Sequence, residues 1–247
     1  MKLKKTGQLL IVTIFAINAL LVYTQASEDS TRVPTIEELY LLGKPTLMII
    51  VEQATSADRE TKLRALDDIE TIIEQGELGG ESSEILYMLD YLSAEGVRRR
   101  EREENRTTNY FPLVRRRAVE LIGRLGKETT SQVIVERARG ILLDIIRKED
   151  EVMVKAEAAY ALGIIGLDED GLVVKTLSEI ISSQTVAAPD NNFAFAVCLA
   201  IDKIAQKNQG IRNYQAYTAL VTIMQGNYTR KVKDKAFEVL QNLKEYS

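Results

Sequence analysis

Apolar residues recur along this chain with the three-and-four spacing of amphipathic helices, and the same pattern occurs more than once. The segment EVMVKAEAAYALGIIG, residues 151–166, repeats the skeleton of FPLVRRRAVELIGRLG, residues 111–126, with an offset of 40 positions. In the second copy this spacing predicts a helix with one buried face, formed by Val154, Ala158, Leu162 and Ile165.

Small residues in both copies predict close packing between helices. Ala158 and Gly163, like Ala118 and Gly123 in the first copy, let a neighbouring helix approach closely. Gly166 is expected to end its helix in the left-handed conformation, which glycine adopts without a steric cost.

Weaker copies of the pattern precede and follow these two. Apolar residues take the same places at Phe193, Val197, Ile201 and Ile204, and again at Val232, Ala236, Leu240 and Leu243. An early copy places Lys62, Ala65, Ile69 and Ile72 in register. Other apolar helices are predicted between the copies, at about 131–147, 172–183 and 211–224. A period near 40 residues with two helices per unit predicts an α-solenoid.

The composition agrees with an all-α fold. The 247 residues include only 4 prolines and no tryptophan, and 45% of them are apolar. The many Ala, Leu, Ile, Glu, Lys and Arg residues lose little rotamer freedom in a helix.

The repeated segments resemble those of HEAT-repeat proteins. The resemblance is carried by VRRRAVELIGRLG and VKAEAAYALGIIG, with Glu149 and Asp150 in the acidic turn before the second copy. It implies a right-handed α-solenoid of about five HEAT-like helical hairpins over residues 36–247. The fourth and fifth copies depart from the pattern, with Asp202 and Gln241 where Gly163 stands, and are interpreted as capping units. The family includes scaffolds, transport factors, lyases and DNA-repair enzymes, so the resemblance does not specify a function.

The N-terminus has the three parts of an export signal. Lys2, Lys4 and Lys5 precede an apolar run at 9–22, and Ala26 follows small and polar residues at a cleavage position. We expect a signal peptide at 1–26, a short linker at 27–35 and a periplasmic or secreted protein. The alternative is an uncleaved anchor, although the apolar run is shorter than the ~20 residues that cross a bilayer as a helix. Unless this N-terminal segment is retained, we expect the protein to associate with a membrane only transiently.

Charge and cysteine content narrow the class of protein further. Residues 1–26 contain three lysines and no acidic residue, so the mature chain would have 29 basic and 36 acidic residues and a net charge of −7. This balance disfavours general nucleic-acid binding. The single cysteine, Cys198, cannot form an internal disulfide and lies in an apolar helical stretch, which predicts a buried, inert thiol.

The sequence offers no recognisable catalytic chemistry. It has no histidine, which excludes Ser-His-Asp and Cys-His catalysis and removes the commonest metal ligand. No phosphate-binding glycine loop with its lysine is present, and the acids Glu169 and Asp170 precede a helix start, where they are expected to cap it. We therefore predict no catalytic, cofactor-binding or metal-binding residues and a non-enzymatic protein.

An arginine-rich segment is the one compositional anomaly. Residues 96–117 contain eight arginines and three glutamates. This segment begins within a connector predicted at 94–109 and extends into the first copy of the repeat. The candidate partner-binding residues are Arg98, Arg99, Arg100, Arg102, Arg115, Arg116, Arg117 and Lys155. The alternative is a solvated segment whose charges neutralise one another, with Arg116, Glu120 and Arg124 as a ladder along one helix.

Two functions are compatible with these features. The first is an exported, non-enzymatic scaffold or assembly factor that binds an envelope or extracellular protein through the solenoid surface. The second is binding of an anionic polymer or lipid surface through the arginine-rich residues 98–117. An enzyme of the HEAT lyase or glycosylase kind would need pocket residues that the sequence does not visibly gather.

Overall fold

A computed structural model describes residues 33–76, 78, 80–184 and 187–246, and residues from Pro34 onward form one compact unit. The predicted signal peptide at 1–26 and most of the predicted linker lie outside the described residues. The described part is all-helical apart from one short hairpin. Its elements are α1 (Ile36–Leu41), α2 (Pro45–Thr55), α3 (Arg59–Gln75), α4 (Ser82–Ser93), β1 (Arg102–Glu103), β2 (Arg106–Thr107), α5 (Pro112–Glu128), α6 (Gln132–Lys148), α7 (Val152–Ile165), α8 (Leu172–Ser183), α9 (Asn191–Asn208), α10 (Gln215–Gln225) and α11 (Arg230–Lys244).

Alternate helices pack side by side in the order of the chain. Helix α3 contacts α5, α5 contacts α7, α7 contacts α9, and α9 contacts α11. We call these five helices the first row. Each also contacts the helix that precedes it in the chain, so that α2, α4, α6, α8 and α10 lie against the first row.

The five copies of the sequence pattern coincide with the five helices of the first row. The buried face predicted for α7 is confirmed, because Val154, Ala158, Leu162 and Ile165 are each no more than 1% exposed. The corresponding residues of α9 are equally buried. In α3 the last buried position of the pattern is Ile73, whereas the predicted residue, Ile72, is only half-buried.

The glycines act in two different ways. Gly166 has a φ of 65° and ends α7, as predicted. Gly126 does not end α5, which continues to Glu128. A methyl group at Gly126 would lie 2.7 Å from Cδ1 of Ile165, so this glycine makes room for the neighbouring helix instead.

Carboxylates cap several helix starts. The Asp190 side chain accepts hydrogen bonds from the backbone N–H groups of Asn192 and Phe193 at the start of α9. At the start of α8, Asp170 accepts from Leu172, while Asp168 accepts from Val173 at 2.7 Å. Asp168 is buried, and burial raises its pKa despite these backbone hydrogen bonds.

One helix start differs from the sequence-based expectation. The helix predicted at 211–224 begins at Gln215, because the side chain of Asn213 accepts a hydrogen bond from the backbone N–H of Gln215 at 2.9 Å. A local side-chain bond of this kind stabilises a turn in competition with the helix. Residues 211–213 therefore lie in the loop before α10.

Candidate functional site

The arginines that follow α4 fold back onto that helix. Arg98 donates hydrogen bonds to Asp90 and Ser93, each at 2.7 Å. The guanidinium of Arg99 stacks 3.3 Å from the ring centre of Tyr91 and pairs with the fully buried carboxylate of Glu95. Both residues are therefore only partly available to a partner.

The tip of the connector forms the small β1–β2 hairpin. Arg102 pairs in register with Thr107, and Glu103 with Arg106. Arg100, Arg102 and Arg106 are exposed and form no ion pair with a described residue. The hairpin region also exposes the three glutamates of the segment, so its charges balance.

Arg115, one of the predicted partner-binding residues, is not a surface residue. Its side chain is 0% exposed and donates to both oxygens of Glu149, at 2.8 and 3.0 Å, and to the carbonyl of Glu95 at 3.0 Å. All of these contacts are buried. A charged side chain is stable there because it is paired and hydrogen-bonded.

The remaining predicted residues lie on the first row. Arg116 is exposed and pairs with Glu157 on α7 rather than with Glu120. Arg117 pairs with Glu70 on α3 and with Glu120. Burial lowers the pKa of Arg117, but the hydrogen bond to Glu120 and the nearby carboxylates outweigh it and raise the pKa above its ordinary value.

Lys155 stands apart from these pairs. It is half-buried near the start of α7 and forms no ion pair with a described residue. The structure does not bring it together with the connector arginines at one continuous site. Five of the eight arginines of residues 96–117 pair with carboxylates, which leaves little free positive charge in the segment.

A groove of about 890 Å³ crosses the C-terminal parts of four first-row helices. Helix α3 contributes Ile73 and Glu74, and α9 contributes Lys203, Gln206 and Lys207. Because all four helices present their C-terminal parts to the same groove, they run in the same direction across the row. The groove is lined by residues from four of the five first-row helices.

Helices α5 and α7 lie between α3 and α9 and line the central part of the groove. They contribute Tyr160, Gly163 and Ile164 from α7, and Arg124, Lys127 and Glu128 from α5. The ammonium of Lys203 lies 5.5 Å from the ring centre of Tyr160, within the range of a cation–π interaction. The middle of the groove is thus partly aromatic and aliphatic.

Close packing of the row depends on small residues, as the sequence predicts. A methyl group at Gly163 would lie 2.6 Å from Cα of Ala200, and one at Gly123 would lie 2.7 Å from Cβ of Ala161. These distances are too short for a side chain. The backbones of α5, α7 and α9 therefore approach one another closely beside the groove.

No protein-family model, curated protein or solved structure matches this chain. None of the helices in the described part of the chain combines the length and the apolar character needed to cross a membrane. The described residues also contain no cluster of three or more Cys, Asp or Glu side chains suited to hold a metal ion.

Sequence reasoning missed the residues of the groove. Tyr160, Ile164 and Lys203 are half-buried positions next to the buried face of the repeat helices. The sequence signal for these residues was their position beside Gly163, where a neighbouring helix approaches closely. The high local density of arginines instead favoured the connector as the predicted binding segment.

Proposed function

We propose that this protein is a non-enzymatic scaffold or assembly factor of the α-solenoid class, built from HEAT-like helical hairpins, that binds another protein. Its binding surface is the groove across α3, α5, α7 and α9. The observation that carries this proposal is that four successive repeat helices contribute to one groove.

The solenoid architecture is supported by the agreement between repeat and packing. Each copy of the sequence pattern corresponds to one first-row helix, and each of these helices contacts the adjacent copy or copies and the helix before it. In a solenoid each unit buries its apolar faces against its neighbours, and the array exposes a long surface suited to protein partners.

Export is supported by the sequence of the N-terminus alone. The lysines at positions 2, 4 and 5, the apolar run at 9–22 and Ala26 favour a periplasmic or secreted location. The partner would then be an envelope or extracellular protein.

The alternative function, binding of an anionic polymer or lipid surface by residues 98–117, has weaker support. Most arginines of that segment already pair with carboxylates of this chain. Binding a polyanion would require these pairs to break, and the exposed arginines that remain share the hairpin with three glutamates.

Site-specific photo-crosslinking in the native host tests the proposal. A photoreactive amino acid at Ile164, in the groove, is compared with one at Val133, which is 68% exposed on α6 outside the groove. A discrete protein adduct from position 164, absent from position 133, is expected. No protein adduct at position 164, or equal adducts at both, would contradict it.

A further inference from the structure

We infer that the groove binds an acidic peptide segment that also carries large apolar side chains. This inference rests on the proposed function, because it names the chemistry of the partner at the same surface. It follows from how charge and apolar area are distributed along the groove.

The α9 end of the groove carries positive charge that no carboxylate of the described residues neutralises. Lys203 and Lys207 form no ion pair with any described residue. The ammonium of Lys207 donates to the carbonyl oxygen of Ile165 at 2.6 Å, and that of Lys203 lies over Tyr160. A carboxylate from a partner would give both groups a charged acceptor, which makes a stronger hydrogen bond than a neutral one.

The charged residues that α3 and α5 contribute to the groove, in contrast, are paired within the chain. Arg124 pairs with Glu74 and also with Glu70, and Lys127 pairs with Glu128. Of the charged residues that line the groove, four are basic and two are acidic, an excess of two positive charges. The whole chain has a net charge of −4, so this groove differs from the molecule around it and favours an acidic partner.

The part of the groove that α7 lines favours apolar side chains. Tyr160 and Ile164 are half-buried, and part of each faces the groove. Covering this area would remove apolar surface from water, at about 25 cal/mol for each Å². A ligand that has carboxylates but no apolar side chains would not gain this free energy of burial.

The dimensions suit an extended peptide. Packed helices lie about 8 to 10 Å apart, so four helices in a row span roughly 25 to 30 Å. An extended chain rises about 3.3 Å per residue, and about eight residues would cross the groove.

The first test uses synthetic peptides and the protein without its first 26 residues. The probe is a fluorescein-labelled extended peptide of about eight residues in which glutamates at one end are followed by Leu and Phe, and binding is measured by fluorescence anisotropy. One comparison peptide has Gln for every Glu, and another has Ser for every apolar residue. We expect each to bind at least about tenfold more weakly, and the affinity for the acidic probe to fall with salt. Equal binding of all three peptides would overturn the inference.

The second test assigns binding to the groove. K203E should raise the dissociation constant of the acidic probe about tenfold, whereas K203R should preserve it. K231E is the matched control, because Lys231 lies over the ring of Phe195 at 5.3 Å, a similar contact outside the groove lining. Thermal melting checks that all variants fold. Equal effects of K203E and K231E would overturn the assignment.

A third measurement separates an acidic peptide from an acidic membrane. Vesicles containing phosphatidylglycerol are tested by sedimentation with wild type and K203E. Vesicle binding that depends on Lys203, without binding of the probe, would overturn the inference in favour of a lipid surface. If photo-crosslinking at position 164 captures a protein but the probe does not bind, the proposed function stands and this inference fails.

Discussion

The guanidinium of Arg115 donates two hydrogen bonds to the carboxylate of Glu149, from Nε to Oε2 at 2.8 Å and from Nη2 to Oε1 at 3.0 Å. Neither side chain is more than 2% exposed. One repeat earlier, Lys62 takes the place of Arg115 and pairs with the buried Glu95 at 2.9 Å. In both repeats this basic residue, which follows a valine or a threonine, thus joins its own helix to the turn that follows the next helix.

Removal of Arg115 should strongly destabilise the protein. Arg115→Ala leaves Glu149 buried without its cation, and losses of this kind typically cost about 3 to 5 kcal/mol. Chemical denaturation followed by circular dichroism measures the change. The control is Arg116→Ala, whose partly exposed pair with Glu157 should contribute at most about 1 kcal/mol. Similar unfolding midpoints for the two variants would refute the structural role of the Arg115 pair.

The glycines of α6 and α7 should respond oppositely to the same substitution. At Gly163 a methyl group would lie 2.6 Å from the α9 backbone, so Gly163→Ala should lower the free energy of unfolding by about 1 to 3 kcal/mol through overpacking. At Gly140 a methyl group would meet nothing within 4 Å, and Gly140→Ala should stabilise α6 by roughly 0.5 to 1 kcal/mol. A stability gain at position 163 would show that the helices can separate without cost.

The arginines of the connector should divide into two pairs. Changing Arg98 and Arg99 to Ser removes partners of Asp90, Ser93 and the buried Glu95, and should cost about 1 to 3 kcal/mol. Changing the exposed Arg100 and Arg102 to Ser should leave the melting temperature unaltered. The sequence groups all four as candidate partner-binding residues, whereas the structure gives Arg98 and Arg99 a role in stability; equal melting of both double variants would contradict that role.

Cys198 should be unreactive in the folded protein. Burial raises the pKa of its thiol from 9.0 to about 12. The native protein should therefore resist iodoacetamide at pH 8 and react readily in urea. Because the folded state holds the proton to higher pH than the unfolded chain, stability from this group is fully present below pH 9 and is lost as the pH rises toward 12. Rapid native alkylation would contradict the burial.

The mature protein should begin at Ser27. Mass spectrometry of the protein from its native host should find cleavage after Ala26, because the N-terminus has the charged, apolar and small-residue parts of an export signal. Recovery of a membrane-bound chain that begins at Met1 would instead favour the uncleaved anchor.

The sequence by itself was sufficient to locate the five first-row helices and most of their buried positions. Positions such as Val154, Ala158 and Leu162 follow the helical period, which depends only on local chain geometry. The same holds for Gly166, whose left-handed conformation is a local property of the helix end. The packing role of Gly163 could also be predicted from the sequence, because the helix that packs against it is the next copy of the same pattern.

Only the tertiary structure decided which charges are buried, paired or free. Arg115 and Arg116 are adjacent in the chain, yet one is fully buried against Glu149 and the other is exposed beside Glu157. The difference depends on side chains more than thirty residues away. The groove has the same origin, since Tyr160 and Lys203 become neighbours only when α7 packs against α9. A local count of arginines cannot contain this information, because the effect of a charge depends on the distant groups that folding brings to it.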